Sequence, residues 1–263
     1  MSIITLSDDL RCGLENKKLI FTVTTGRSGT TYLTIVMSCV TGIIARHEPT
    51  PRFSDVMRQV QQDKEIAYEF WLNQKLPQIA QLKANIYLEA SHMFCEGFLE
   101  PLLDMGIVPN VIFLSRPYRQ VALSLYQLGS IPGRTRRGLT YLLSPGDPGV
   151  LLLPGWETLN DYQLCFWYCL EIDRRSKQYE VLLQEKGSQT ARTSIAELNT
   201  LSGFHRLLGD LDIKKPTLRG YIRYMRFGRV QFNVKKEEKL NKPIPDHITG
   251  LEEEVIARCY PIR

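Results

Sequence analysis

Short apolar runs alternate with helical periodicities along most of the chain. Leu19–Thr24 is a β-branched, apolar stretch of strand length. After Thr25-Gly26-Arg27-Ser28-Gly29 come Leu33, Val36, Met37 and Val40, spaced i, i+3, i+4, i+7, the stripe of a helix that starts near Thr30. Ile43-Ile44 opens a second strand within Gly42–Arg52 and leads into a polar, proline-rich loop. Phe53–Lys83 reads as helical, with Phe70, Trp71 and Leu72 on its apolar side. Asn85–Ala90 reads as a third strand, and a helix follows Ser91-His92 through about Met105. Val111–Leu114 is a fourth strand, and the next helix begins near Pro117, a residue suited to a first turn. Gly129–Pro154 is irregular, either a gating loop or a connection. Trp156–Glu180 has an aromatic-rich helical face, Val181–Leu198 has room for one hairpin or strand, and Gly203–Leu211 is a short helix. Strands that alternate with helices predict an α/β fold: a single domain over residues 1–263, with a mainly parallel central sheet flanked by helices.

The turn at Thr25–Gly29 carries the strongest chemical signal. A strand, a turn with two glycines and a helix start bring unpaired N–H groups and the positive end of a helix dipole together, so an anion is the natural guest. The turn is P-loop-like but is not a Walker sequence. Aligned on Gly29, Thr24 replaces the first glycine and Thr30 replaces the lysine, while the positive charge sits within the turn at Arg27. Without that lysine, an ordinary ATPase or GTPase is disfavoured.

A second strand-to-helix junction lies in Asn110–Leu128, where Arg116 ends the strand and Ser124 follows eight residues later on the helix. Thr24–Tyr32, TTGRSGTTY, resembles the 5′-phosphosulfate loop of sulfotransferases that use 3′-phosphoadenosine-5′-phosphosulfate (PAPS). Arg116–Ser124, RPYRQVALS, resembles that family's 3′-phosphate motif, with the same spacing of Arg and Ser. The two motifs stand in the family's order, and the resemblance covers the first half of the chain.

The resemblance implies an enzyme that moves a sulfuryl group from PAPS to a hydroxyl acceptor, or second to an amine, leaving adenosine 3′,5′-bisphosphate (PAP), with no metal. It implies that the amides of the turn and of Thr30 and Thr31 cradle the 5′-phosphosulfate, with Gly26, Arg27, Ser28 and Gly29 forming the loop. Arg27 stands where the family often has lysine; it stabilises the transferring group by charge and hydrogen bonds but cannot donate a proton as an acid. Arg116 and Ser124 then hold the 3′-phosphate. Cytosolic aryl and steroid sulfotransferases use a histidine base, whereas tyrosylprotein and several bacterial ones use a glutamate after the second strand. Glu48 matches the glutamate by position, with His47 and His92 as alternatives and a reaction without a side-chain base as the remaining one. The cytosolic enzymes' late R-K-G and G-x-W-K has only a remnant here, Arg226-Phe227-Gly228, so Arg226 is a candidate for the 3′-phosphate and Asn233, Lys235 and Lys236 are candidate lid residues.

Composition adjusts this picture at a few points. Of the 263 residues, 43% are hydrophobic and 23% charged, which is ordinary for a globular protein. No run approaches a membrane span, and MSIITLSDDLRCG lacks the pattern of a signal peptide, so a cytoplasmic location is expected. Six cysteines without a C-x-x-C predict buried, reduced thiols rather than a metal site. Lys214–Lys242 holds ten Lys and Arg against two Glu, within a chain total of +5. That basic stretch suits either a solvated helix or a wall facing a polyanion. Nucleic acid is disfavoured as a partner, because Tyr221, Tyr224 and Phe227 fit packing against the core better than stacking on bases. Two rival functions stay open: a nucleotide or nucleoside kinase with a degenerate P-loop, and a non-catalytic binder of an anionic nucleotide or nucleic acid. Whether the acceptor is a small molecule, glycan, lipid or peptide, and what the oligomeric state is, the residues do not specify.

Overall fold

A computed structural model describes residues 6–227 and 242–261. Helix α1 (Asp8–Leu14) precedes strand β1 (Lys18–Val23), and α2 (Thr30–Met37) links it to β2 (Ile43–His47). Helices α3 (Met57–Val60), α4 (Glu65–Phe70) and α5 (Leu76–Ala80) lead to β3 (Ile86–Ala90), and α6 (Leu99–Asp104) leads to β4 (Asn110–Ser115). Then α7 (Tyr118–Gln127), α8 (Arg136–Tyr141) and α9 (Asp161–Glu185) precede β5 (Thr190–Ser194). Four helices follow: α10 (Ile195–Leu198), α11 (Leu201–Asp210), α12 (Leu218–Phe227) and α13 (Ile248–Cys259).

The five strands form one sheet in the order β2-β3-β1-β4-β5, and every neighbouring pair is parallel. The near-continuous apolar runs of β1 and β4 follow from this, because helices cover both faces of the sheet. On one face Leu33, Val36 and Met37 of α2 pack with Phe204, Leu207 and Leu208 of α11 and Tyr224 of α12. On the other, Phe21 of β1 and Phe113 of β4 join Trp71, Phe94 and the inner side of α7 and α9. Phe21 stacks on Phe94 with ring centroids 4.4 Å apart and meets Trp71 edge-on at 5.5 Å.

Several boundaries differ from the sequence expectations for local reasons. The long helix α9 starts at Asp161, not Trp156, because Gly155 is left-handed and Asn160 closes a reciprocal capping box with Gln163. Of the two alternatives for residues 181–198 the structure has the strand, a parallel edge strand confined to the second half because α9 runs on to Glu185 before the chain turns into β5. Gly129–Pro154 includes α8, and Leu142, Leu143, Leu151 and Leu153 are buried, so much of this connection is part of the core. Within Phe53–Lys83 the helix widens into a π-turn over Trp71–Lys75. Pro77 explains it: a proline lacks the N–H for the residue four back and its ring crowds that carbonyl, which a wider turn relieves. Among the described residues no helix is long and apolar enough to cross a membrane, and the six cysteines are free thiols, four of them buried.

Candidate active site

From β1 the chain passes to β2 on one side of the sheet, whereas from β4 it passes to β5 on the other. The carboxyl ends of the adjacent strands β1 and β4 therefore flank a crevice at the switch point, where open α/β sheets take ligands. Both sequence motifs stand on its rim.

The turn after β1 is held from beneath by hydroxyls. Thr24 Oγ1 donates to Leu114 O at 2.6 Å, tying the β1 turn to β4, and Thr22 Oγ1 donates to Ser91 O at 2.9 Å, tying it to β3. Thr25 and Ser28 share a hydrogen bond of 2.6 Å, and Ser28 is buried, so Ser28 has only its main chain to offer a ligand. Arg27 and Gly29 are both left-handed, with φ of 68° and 94°, and such residues build anion-binding nests. Gly29 caps α2 without a side chain, and among the described residues no side-chain cap takes up the first N–H groups of that helix. Thr30 Oγ1 pairs with His47 Nε2 at 2.9 Å, and Thr31 is half-buried one position on.

The second motif meets the first directly. Arg116 Nη1 donates to Arg27 O at 2.6 Å, and Arg27 Nε donates to Ser124 Oγ at 3.2 Å. Arg116 also donates through Nε to Gln120 at 3.3 Å. Burial, and then the positive charge of Arg27, push the Arg116 guanidinium down from its usual value. Two guanidinium groups held this close beside uncapped amides suit a bound polyanion, which would offset their mutual repulsion.

Glu48 and His92, weighed as alternatives in the sequence, meet as a pair. The parallel register sets His47 opposite Ala90, so the residues that follow β2 and β3 emerge side by side. Glu48 Oε1 lies 3.2 Å from His92 Nδ1, and His92 Nε2 lies 2.9 Å from the Tyr141 carbonyl. The carbonyl demands a proton on Nε2, so an ionised Glu48 requires one on Nδ1 as well, making His92 an imidazolium. The electrostatics agree. Burial pushes the Glu48 carboxyl up, but the His92 hydrogen bond and charge, then His47 and Arg52, outweigh it and hold Glu48 below its ordinary value. Burial pushes His92 down, and the Glu48 hydrogen bond, the charges of Glu96 and Glu48 and the Tyr141 carbonyl together hold it above its ordinary value. His47 hydrogen-bonds Thr30 and bears on the pair through its charge on Glu48.

Behind the pair lies a group that no local pattern announces. Glu96 is fully buried, its Oε1 accepts from Tyr168 at 2.7 Å, and its Oε2 has no partner among the described residues. The Tyr168 hydroxyl also meets the Gly26 main chain, so a buried acid is linked through one phenol to the start of the phosphate-type loop. Burial, only partly offset by His92, Tyr168 and nearby arginines, raises the Glu96 carboxyl to about 7. Glu96 and Tyr168 are 72 positions apart, and only the packing of α9 against the 3₁₀ turn after β3 brings them together.

Arg226 stands exposed in the last turn of α12, a helix that rests on α2 with Gly220 against the Cys39 carbonyl. It makes no hydrogen bond to the crevice among the described residues; Asn233, Lys235 and Lys236 lie outside them. Groups of three or more metal-ligating side chains are absent among the described residues.

No protein-family model and no curated protein sequence matches the chain. Among solved structures, the chain is similar to the sulfotransferase domain from the curacin biosynthetic pathway, with a TM-score of 0.51 and 12% identity. The match covers 79% of this chain and 78% of that one. The fold is therefore sulfotransferase-like: one α/β sheet, all parallel, with helices on both faces.

Proposed function

We propose that the chain is a PAPS-dependent sulfotransferase in which Glu48 takes the proton of a hydroxyl acceptor. The observation that carries this reading is the convergence of Arg27, Arg116 and Ser124 on one side of a switch-point crevice with the Glu48–His92 pair across the β1 turn. PAPS, when bound, supplies an already activated sulfuryl group.

The residues present fit such a guest. The main chain of Gly26–Gly29 and the first turn of α2, with Thr30 and Thr31, would hold the 5′-phosphosulfate, and Arg116 with Ser124 would hold the 3′-phosphate. Arg226 is a secondary candidate for that phosphate. Sulfuryl transfer places negative charge on non-bridging oxygens and on the leaving phosphate, so the protein's work is positioning and charge stabilisation. Arg27 supplies the charge without giving up a proton. Glu48 accepts the acceptor's hydroxyl proton as the oxygen–sulfur bond forms and the bond to the leaving 5′-phosphate breaks. His92, as imidazolium, orients Glu48 and keeps it ionised before the reaction.

Transfer of isotopically labelled sulfate from PAPS to a panel of phenol, sugar, lipid and peptide hydroxyls tests the reading. With an acceptor found, Glu48→Gln is expected to lose roughly 10²–10⁴-fold in kcat, the usual contribution of a general base, while PAP binding is unchanged. Unchanged turnover in Glu48→Gln would remove Glu48 as the base. Phosphoryl transfer from ATP with Mg²⁺, in place of sulfuryl transfer, would favour the kinase.

A further inference from the structure

Glu48 occupies an awkward backbone position. Its φ is +44°, a region in which the Cβ of an L-residue is crowded, and it directly precedes Pro49, whose ring further restricts the residue before it. Something outside the loop must hold this conformation if Glu48 is to point at His92.

The π-turn supplies it. Trp71 and Lys75, the first and last residues of this π-turn, both face the core, where Trp71 Nε1 donates to Phe98 O at 2.8 Å and the Lys75 side chain is only 2% exposed. Lys75 Nζ donates to Glu89 Oε1 at 2.8 Å and reaches the Pro49 carbonyl at 3.4 Å, while resting 4.7 Å from the Phe53 ring centre. Glu89 lies on β3 and is fully buried, and its other oxygen accepts from Tyr87 at 2.6 Å. A buried ammonium is costly unless each of its protons finds a partner. Here the carboxylate, a ring face and the carbonyl next to Glu48 serve as partners.

We propose that Lys75 is a positioning residue for the base: Glu89 and Tyr87 fix its ammonium in the core, and the ammonium anchors the Pro49 carbonyl so that Glu48 keeps its left-handed conformation against His92. The proposal rests on Glu48 being the base. Lys75 touches neither the acceptor proton nor the anion loop; it acts through the main chain of the residue after the base.

The test is a variant that removes the charge pair without stranding either charge. Lys75→Met with Glu89→Gln keeps the volume and an acceptor for Tyr87, and exchanging a buried pair for uncharged groups is often neutral for stability. The pKa of the His92 imidazole, read by NMR titration, is expected to fall toward that of an ordinary histidine, because Glu48 no longer sits against it. PAP affinity, read by calorimetry, is expected to match the wild type. With an acceptor in hand, kcat should fall by roughly 10²-fold, the cost of about 1 Å of misplacement, with KM for PAPS unchanged. An unaltered His92 titration would overturn the proposal. If the double variant does not fold, Lys75→Met/Glu89→Leu/Tyr87→Phe, apolar throughout, is read by the same titration. The titration needs no cofactor, so failure of PAP to bind even the wild type would strike the sulfotransferase reading and leave the role of Lys75 to be decided by His92.

Discussion

The meeting of Arg27, Arg116 and Ser124 was legible in the sequence through the two motifs that resemble the PAPS sulfotransferases, each at a strand-to-helix junction of one sheet edge. The partnership of Glu48 and His92 was not, since it depends on which strand neighbours which. Only the β2–β3 register turns positions 44 apart into neighbours, and Lys75, Glu89 and Glu96 were hidden for the same reason. The pair has a consequence for stability. Glu48 is held below its ordinary 4.5, so its contribution is present above that pH and is lost as pH falls through its folded value. His92 is held above its ordinary 6.5, so its contribution is complete below that pH and is lost as pH rises through its folded value. Urea unfolding of wild type and Glu48→Gln across pH should show the wild-type advantage at a plateau between these two values and shrinking on both sides. An advantage that does not vary with pH would contradict the ion pair. Gly29 gives a second prediction. Its φ is +94°, and a Cβ there would stand 2.5 Å from Ile195 Cδ1, so Gly29→Ala should cost at least about 1–3 kcal/mol in unfolding free energy. It should also weaken PAP binding.

At the level of elements, the apolar runs match β1, β3 and β4 within a residue and the start of α2 at Thr30, because both faces of the sheet are covered, whereas α1 and the bounds of the edge strand β5 carry no such run. The start of α9 was read five residues early. Trp156 belongs to a separate 3₁₀ turn, and the stop between the two elements is set by a left-handed glycine and a cap rather than by hydrophobic spacing. Asn160 accepts from the Gln163 N–H, and Gln163 Oε1 accepts from the Asn160 N–H, both at 3.0 Å. Asn160→Ala should therefore lower stability by about 1 kcal/mol, as loss of an N-cap usually does, without altering PAP affinity. Thermal unfolding and calorimetry on the one variant check both halves. The π-turn could not be read from apolar spacing, although Pro77 inside a helical pattern was a visible warning of it.

Across the whole molecule, the sheet places two strand-to-helix junctions at a single switch point and sets the Glu48–His92 pair beside them. The excess positive charge lies toward the C-terminal part of the chain. In α12, Arg219, Arg223 and Arg226 are exposed and form a basic face; of the aromatic positions Tyr224 is buried in the core and Phe227 packs against it, whereas half-buried Tyr221 bonds to His205. The proposed function requires the crevice to recognise a nucleotide phosphorylated at both the 3′ and 5′ positions. Calorimetry of PAP binding without metal, beside ADP with Mg²⁺, tests it most directly when repeated on Arg116→Ala and Ser124→Ala. Metal-free binding of PAP in preference to ADP is expected, weakened roughly tenfold or more when either side chain is removed, as follows from the loss of a charge-assisted hydrogen bond. Preference for ADP with Mg²⁺, or PAP binding indifferent to both substitutions, would contradict it.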